Sequence, residues 1–463
     1  MDHLTDGEVE GFLSGEMPRE AFRRIVRHLM APCRACGARI EAAVPRDAFL
    51  PAAPAEPDAY DAAIDRAWKK VRGLRRRWTE DQVRFDRGRE WLSATPGGFS
   101  GLTNGQRQSL VPWVHVEILL WRSFEARYRD PRKMLEDADR AVYVADRIEK
   151  TPYGSGFLSD LRVRCWAELA NAYRVTENYR YAEAALRQAR EIHEKGSGDL
   201  MLLAYIDELE ATLRKDQRRF IEACELHDQA FAVYRRLGEC RVSGRVLVSK
   251  GITLWLARNP KAAVSALRRG IALLDPEQDQ QLILTAQQDL LTALVDADDL
   301  HGAIHLLVQS DLREKLGAEP LNRTRLRWVE GKILAKQKRY AEAEKVFAEV
   351  RAGFRAIQLE YVAAVAGVDQ TLMLVRMKKL QDAHLVARDL VVEFRRQEYR
   401  NNVNADEPLK ALAFLEHVCA SKVVNAFMAE AVRAFLDEAQ RDRCLRFDMA
   451  GVMRRGMELR GEG

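Results

Sequence analysis

Small and apolar residues recur along this chain with the spacing of paired helices. Between about Leu161 and Gln397 an alanine returns at one phase six times, at intervals of 41, 40, 40, 40 and 40 residues: Ala182, Ala223, Ala263, Ala303, Ala343 and Ala383. Twelve residues before each alanine lies a matching position, small in four of the six cases: Ala170, Ala211, Gly251, Leu291, Gly331 and Thr371. A small residue at a fixed phase lets two helices pack closely, so the pattern predicts an array of helix–turn–helix repeats.

The clearest repeat combines aromatic, leucine and alanine residues at regular positions in two successive helices: Trp166, Leu169, Ala170 and Tyr173, then Tyr179, Ala182, Leu186 and Ala189. It resembles the tetratricopeptide repeat, with alanine in place of the usual glycine and a period longer than that family's roughly 34 residues. The resemblance implies an all-α fold: a right-handed superhelical solenoid of about 40-residue repeats. It implies little about function, because such repeats bind many unrelated partners.

The first forty residues differ from the repeats. Leu4, Val9 and Phe12 predict one helix that begins near Thr5 or Asp6, and a second helix is expected over residues 19–30. The pair Cys33–x–x–Cys36 follows, and two thiolates at this spacing can reach one tetrahedral zinc ion from a tight turn. His28 can supply a third ligand and His3 a fourth, whereas the alternative is a pair of surface cysteines without metal. A redox role requires a βαβ context that is missing here.

The order His3, His28, Cys33, Cys36 resembles the zinc-binding anti-sigma-factor domain over roughly residues 1–40. The segment Gly11–Pro18 is also similar to the turn of that family. One departure is that four residues, not three, separate His28 from Cys33. The resemblance implies Zn²⁺ as a cofactor and a sigma factor or similar transcription component as a partner.

Composition divides the chain into five segments. Residues 1–41 form the helical zinc-binding module, and residues 42–58, with four prolines among alanines, form a semi-rigid linker. Residues 59–110 form a helical segment with a basic face, and residues 111–440 form the repeat array. Residues 441–463 form a basic tail, with one short helix expected before a frayed end.

The basic face of the third segment has two interpretations. Its cations are Arg66, Lys69, Lys70, Arg72, Arg75, Arg76 and Arg77. They indicate either a nucleic-acid or acidic-partner surface, or a solvated helix face, and the second interpretation is favoured because acidic residues follow. Trp68 and Trp78 are expected in the core rather than as stacking platforms for bases.

In repeat arrays of this kind the first helix of each pair lines the inner surface, where partners usually bind. The predicted inner positions carry cations and two tryptophans: Arg164, Asn171, Arg174, Lys215, Arg245, Trp255, Arg325, Trp328 and Lys332. A basic groove with tryptophan suits an acidic peptide segment. From Val365 onward these positions become apolar (Val368, Leu372, Val375), which suits either a peptide anchor or, the favoured alternative, the chain's own last helix folding back.

Charge and motifs narrow the function. The net charge of +5 is modest for 463 residues, no run approaches the length of a membrane span, and the polar N-terminus does not resemble a signal peptide. Seven cysteines do not make a disulfide framework, so a cytoplasmic location is expected. No phosphate loop, nucleophile elbow or metalloprotease motif occurs, and His301 with His305 indicates a helix surface more than a metal site.

The sequence therefore predicts a non-enzymatic, bacterial protein–protein interaction protein. It would regulate transcription, gripping a sigma factor with an anti-sigma-like zinc module and binding a second protein or peptide in its groove. The alternatives are a general scaffold in which zinc is only structural, or a nucleic-acid-associated factor that uses residues 66–77. Neither a small-molecule substrate nor a membrane is an expected partner.

Overall fold

The elements that the structure describes are all helices. This computed structural model describes residues 3–14, 17–18, 21, 24–25, 28, 35–36, 39, 59–94, 101–127, 129–310, 312–316, 319–401, 406–439 and 444–461. The helices of this part of the chain are α1 (Asp6–Ser14), α2 (Ala59–Ala94), α3 (Asn104–Ser109), α4 (Pro112–Ala126), α5 (Pro131–Asp146), α6 (Ser155–Val175), α7 (Tyr179–Glu194), α8 (Leu200–Asp216), α9 (Phe220–Arg236), α10 (Cys240–Leu256), α11 (Pro260–Leu273), α12 (Gln280–Asp296), α13 (Leu300–Gln309), α14 (Leu312–Leu316), α15 (Pro320–Lys336), α16 (Tyr340–Ala356), α17 (Glu360–Arg376), α18 (Leu380–Asn401), α19 (Asp406–Ala420), α20 (Ala426–Ala439) and α21 (Met449–Gly461). Within the described residues, no helix is both long enough and apolar enough to cross a membrane.

The predicted repeats are confirmed. All six phased alanines, Ala182 to Ala383, have an exposed fraction of 0 %. Their matching positions are buried as well: Ala170, Ala211, Leu291 and Thr371, with Gly251 and Gly331. At Gly331 an added Cβ would lie 2.7 Å from a ring carbon of Phe347, so the close helix contact requires glycine there.

The turn between the two helices of a repeat is also periodic. One residue in each turn has a left-handed backbone with φ between 59 and 64°: Glu177, Arg218, Arg258, Asp298, Lys338 and Lys378. The next amide closes the first helix; for example, Arg339 N–H donates to the Leu334 carbonyl at 3.0 Å. This is the Schellman end of a helix, here without its usual glycine.

The chain forms two compact units, unit 1 (Met1–Arg258 with Arg269–Leu274) and unit 2 (Asn259–Arg268 with Asp275–Gly463). In unit 1, α4 to α10 pack in sequence, and the first helices α4, α6, α8 and α10 also contact one another. Those first helices therefore present one continuous inner face. The pair α4–α5 begins this series, with Ala138 of α5 fully buried.

In unit 2 the repeats end in a closed arrangement of four helices. α17 packs against α18 and α20, and α19 packs against the same two helices. α21 then packs on α20, where Gly456 lies so close to Met428 that an added Cβ would meet its methyl carbon at 2.4 Å. The short helix expected near the C-terminus thus extends to Gly461, while residues 462–463 lie outside the described residues.

Candidate functional site

Three of the four predicted metal ligands converge near the N-terminus. The Nε2 atom of His28 lies 3.2 Å from the Sγ atom of Cys36, and the Nδ1 atom of His3 lies 3.5 Å from the same sulfur. All three ligand atoms lie within 4.8 Å of one another. Cys33, the fourth predicted ligand, lies outside the described residues.

The surroundings of Cys36 hold these side chains in place. Cys36 is fully buried in a small core with Leu4, Val9 and Ile25, and the Leu4 N–H donates to its sulfur at 3.2 Å. Thr5 caps α1, as its hydroxyl accepts from the Glu8 N–H while Glu8 accepts from the Thr5 N–H. Two imidazole nitrogens and one thiol are a donor set that zinc accepts, so these residues fit a zinc ion.

The other histidine pair lacks such a setting. His301 and His305 lie on α13 with ring centroids 6.5 Å apart. Within the described residues no third metal-binding side chain completes a cluster with them. They form part of a helix surface, which is the interpretation that the sequence favoured.

The predicted basic groove of unit 1 is largely neutralised by its own acids. Arg164 makes a bidentate ion pair with Glu117 at 2.5 and 2.9 Å. Arg174 donates to Asp216 at 2.6 Å and also contacts Asn171. Sequence position alone missed Glu117, because this partner lies 47 residues earlier, on α4.

The remaining cations of this face are also near acids. Lys215 lies 3.6 Å from Asp216, and Arg245 lies 3.8 Å from Glu208. Trp255 is half-buried at the end of α10. The inner face of unit 1 therefore carries little unpaired positive charge, in contrast to the face that the sequence predicted.

Acidic groups, which the sequence analysis did not include in the site, lie deep in the same face. The Tyr205 hydroxyl donates to Glu168, whose Oε2 atom is buried without a hydrogen-bond partner. The Oε1 atom of Glu208 is buried in the same way. Burial raises the pKa of both carboxyl groups, because it disfavours their charged form.

In unit 2 the inner face of α15 differs from that of unit 1 in the pairing of its charges. Arg325 is exposed, and the described residues provide it with no ion pair. Asp289, on the neighbouring α12, makes no side-chain hydrogen bond within the described residues, and burial raises its pKa to about 6 against the opposing effect of Arg325. These two charged groups thus remain available on adjacent first helices.

Trp328 is fixed rather than free. Its Nε1–H donates to Asp369 at 2.7 Å, and its ring meets Phe354 edge-on at 5.4 Å. Arg433 of α20 lies 5.5 Å from the ring centroid and donates to Asp369 at 2.8 Å. Lys332 also lies 5.4 Å from the ring. Trp328 is therefore a wall of the groove, positioned by helices on both sides.

Beyond Trp328 the chain covers its own inner face. The apolar positions of α17 are buried in one cluster with residues of α20, including Val432 and Phe435. Tyr361 also donates to the backbone carbonyl of Leu436 at 2.7 Å. The favoured expectation was that the chain's own last helix folds back over this apolar end. The chain does cover this face itself, but with α20, the last but one helix, and not with α21.

The basic face of α2 is exposed at Arg75, Arg76 and Arg77, whereas the side chains of residues 66–70 and Arg72 lie outside the described part. Trp78 stacks on Trp113 with ring centroids 5.7 Å apart and 11° between planes. Trp78 is 44 % exposed, so it is not the core residue that the sequence predicted. It packs in an aromatic cluster with Trp113 and Tyr153, and the Tyr153 hydroxyl donates to Asp81 at 2.7 Å.

No protein-family model matches the chain, and no curated protein is significantly similar to it. Solved structures with a similar fold include the apo form of RapI, with 13 % identity, a TM-score of 0.50, and coverage of 75 % of this chain and 98 % of that one. A Rap protein complexed with competence and sporulation factor has 12 % identity, a TM-score of 0.48 and coverages of 76 and 99 %. Aspartyl phosphate phosphatase F from Bacillus subtilis has 13 % identity, a TM-score of 0.44 and coverages of 76 and 95 %. At these identities the likeness concerns the fold, an all-helical array of tetratricopeptide-like repeats.

Proposed function

We propose that the protein is a non-enzymatic interaction protein whose repeat helices bind a protein or peptide partner. The observation that carries this proposal is the pair Asp289 and Arg325 on adjacent first helices of unit 2, neither of which makes an ion pair or a side-chain hydrogen bond within the described residues. In unit 1 the corresponding arginines already make ion pairs. A carboxylate of the partner would have to replace these internal carboxylates there and not only water, so the gain in binding free energy would be smaller. Lys332 and the wall formed by Trp328 extend the same surface.

The chemistry of this surface favours an acidic peptide segment. Arg325 and Lys332 offer donors to carboxylates, and a guanidinium binds a carboxylate in a bidentate geometry. Asp289 would accept hydrogen bonds from backbone amides or a basic side chain of the same segment. Because α20 occupies the face beyond Trp328, the segment would lie along α12 and α15.

The N-terminal segment would act as a zinc module that grips a sigma factor or a similar transcription component. Support comes from the convergence of His3, His28 and Cys36, together with the resemblance of residues 1–40 to anti-sigma-factor domains. Zinc would hold together a segment too small to fold firmly alone. A scaffold in which zinc is only structural predicts the same metal content but no captured sigma factor.

Metal content tests the module. We expect one zinc per full-length chain in the parent protein and none in a Cys33→Ser/Cys36→Ser variant. A His301→Ala/His305→Ala variant is the control and should retain the metal. Metal-free parent protein with free thiols would refute the zinc module, whereas zinc without sigma-factor co-purification would leave only the structural role.

Affinity capture tests the inner face. Full-length protein is immobilised as the parent, as an Arg325→Glu/Lys332→Glu variant, and as an Arg75→Glu control. A protein retained by the parent and the control but lost from the double variant would support binding along α12 and α15. Loss from the Arg75→Glu protein alone, with steep salt dependence, would instead indicate nucleic acid at the basic helix.

A further inference from the structure

In one repeat of unit 2 the second helix ends early. α13 has 10 residues, whereas the second helices α9 and α16 each have 17. The chain leaves the helix at Ser310, which has an extended backbone, and forms the five-residue α14 before Pro320 begins the next repeat. The stretch that would normally cover the side of α15 and α16 is therefore shortened.

A cavity of about 480 Å³ lies at that place, beside α15 and α16. Its floor is formed by Leu326, Val350 and Thr324, which are all less than a tenth exposed. The volume falls within the range of about 300–1,000 Å³ that is usual for sites that bind ligands. An apolar floor of this kind suits one or two apolar side chains of an incoming segment.

The rim of the cavity is charged and not balanced. Arg327 pairs with Glu330 at 2.8 Å and with Glu349 at 2.9 Å, and Arg313 pairs with Glu330 at 2.8 Å. Arg323 also lines the cavity, is exposed, and has no ion pair within the part of the chain described. The rim thus holds one guanidinium for which the site provides no carboxylate.

The cavity is separate from the inner face. Arg323, Arg327 and Glu330 follow one another at intervals of four and three residues, so they share one face of α15. Arg325 and Lys332 point to the opposite side of the same helix, because each residue advances the helix by about 100°. A ligand in the cavity therefore does not compete for the groups that the proposed function uses.

We propose that this cavity binds a short amphipathic helical segment of a protein partner. One apolar side chain would lie on Leu326 and Val350, beside the break between α13 and α14, and a glutamate or aspartate one turn away would pair with Arg323. The proposal goes beyond the inner-face site and adds a second point of attachment. Two linked contacts on one partner would raise its affinity above that of either contact alone.

The test uses a fluorescein-labelled helical peptide with leucines four residues apart and glutamates flanking them, a spacing that puts both types on one face. Fluorescence anisotropy reports its binding to the full-length parent, Arg323→Glu, Arg325→Glu and Arg75→Glu proteins. We expect Arg323→Glu to weaken binding about two- to fivefold, as for an exposed ion pair, and the control Arg75→Glu, on α2, to leave it unchanged. A peptide with lysine in place of each glutamate should bind more weakly to the parent.

The outcomes separate this site from the inner face. Equal binding to the parent and the Arg323→Glu protein, or no binding to the parent, would overturn the proposed cavity site. Weakening by Arg325→Glu alone would place the acidic peptide on the inner face, overturning the cavity site and supporting the proposed function. All three arginines are exposed, so none of the substitutions is expected to prevent folding.

Discussion

Replacing Gly331 with alanine should destabilise unit 2, although alanine is the better helix former. Gly331 lies within α15 at the position where the two helices of its repeat meet. An added Cβ would lie 2.7 Å from Cε1 and 3.0 Å from Cδ1 of Phe347, and 3.0 Å from Cγ1 of Val346. Phe347 is 2 % exposed and packed on all sides, so its ring cannot turn away without disturbing the core.

Two opposing terms set the size of the effect. Replacing glycine with alanine inside a helix stabilises the helix by about 1 kcal/mol. Overpacking a filled core costs about 1–3 kcal/mol. The net change expected for Gly331→Ala is therefore a loss of up to about 2 kcal/mol in the free energy of unfolding. Gly73 in α2 has nothing within 4 Å of its added Cβ, so Gly73→Ala should instead gain about 0.5–1 kcal/mol.

Urea denaturation monitored by far-ultraviolet circular dichroism and tryptophan fluorescence measures both variants, with Trp328 reporting on unit 2. A double-mutant cycle with Phe347→Leu isolates the contact. In that background the smaller side chain leaves room, and Gly331→Ala should become neutral or stabilising. Equal stabilisation by Gly331→Ala and Gly73→Ala in the parent would show that close packing does not require glycine at this phase.

Two further predictions concern unit 1 and the turns. Burial lowers the pKa of His227, which is 1 % exposed, to about 4. The unfolded chain therefore binds the proton more readily, so stability is complete above pH 6.5 and falls toward pH 4 by up to about 3 kcal/mol. His227→Gln should remove the contribution of His227 and leave that of His115, whose pKa burial also lowers to about 4, whereas His417→Gln should remove neither; urea titrations from pH 7 to about 4 compare the variants. Lys338→Gly should raise stability by about 1 kcal/mol, because φ is 61° there, whereas Gly198→Ala, at 69°, should lower it by a similar amount in the same denaturation assay.

The repeat phase could be predicted from the sequence because close helix packing restricts residue size. Every phased alanine is fully buried. At Gly331 even one added carbon would lie too close to Phe347, so the helix packing restricts this position to glycine. Leu291 is a large residue at the matching phase, yet it is buried as well.

The sequence analysis did not identify the turns or the pairing of charges. The left-handed turn residues include Arg218 and Lys338, which are not residues that usually mark such a conformation. Their period of 40 or 41 residues was the only available indication. Arg164 and Glu117 lie 47 residues apart, and their contact depends on how two first helices align. Charge counted by position therefore overestimated how basic the inner face of unit 1 is.

The closure by α17 to α20 decides where a partner can bind in unit 2. A regular repeat would leave the inner face of α17 for a ligand or the next first helix. Here α20 takes that place and inserts Arg433 beside Asp369, so Trp328 is held from the side where a longer groove would continue. The unpaired groups that remain, Asp289 and Arg325, lie on the other side of this wall. A partner that extended past Trp328 would have to displace a buried ion pair and the core of α20. Because removing one member of such a pair leaves a buried charge at a cost of about 3–5 kcal/mol, the groove is expected to end at Trp328.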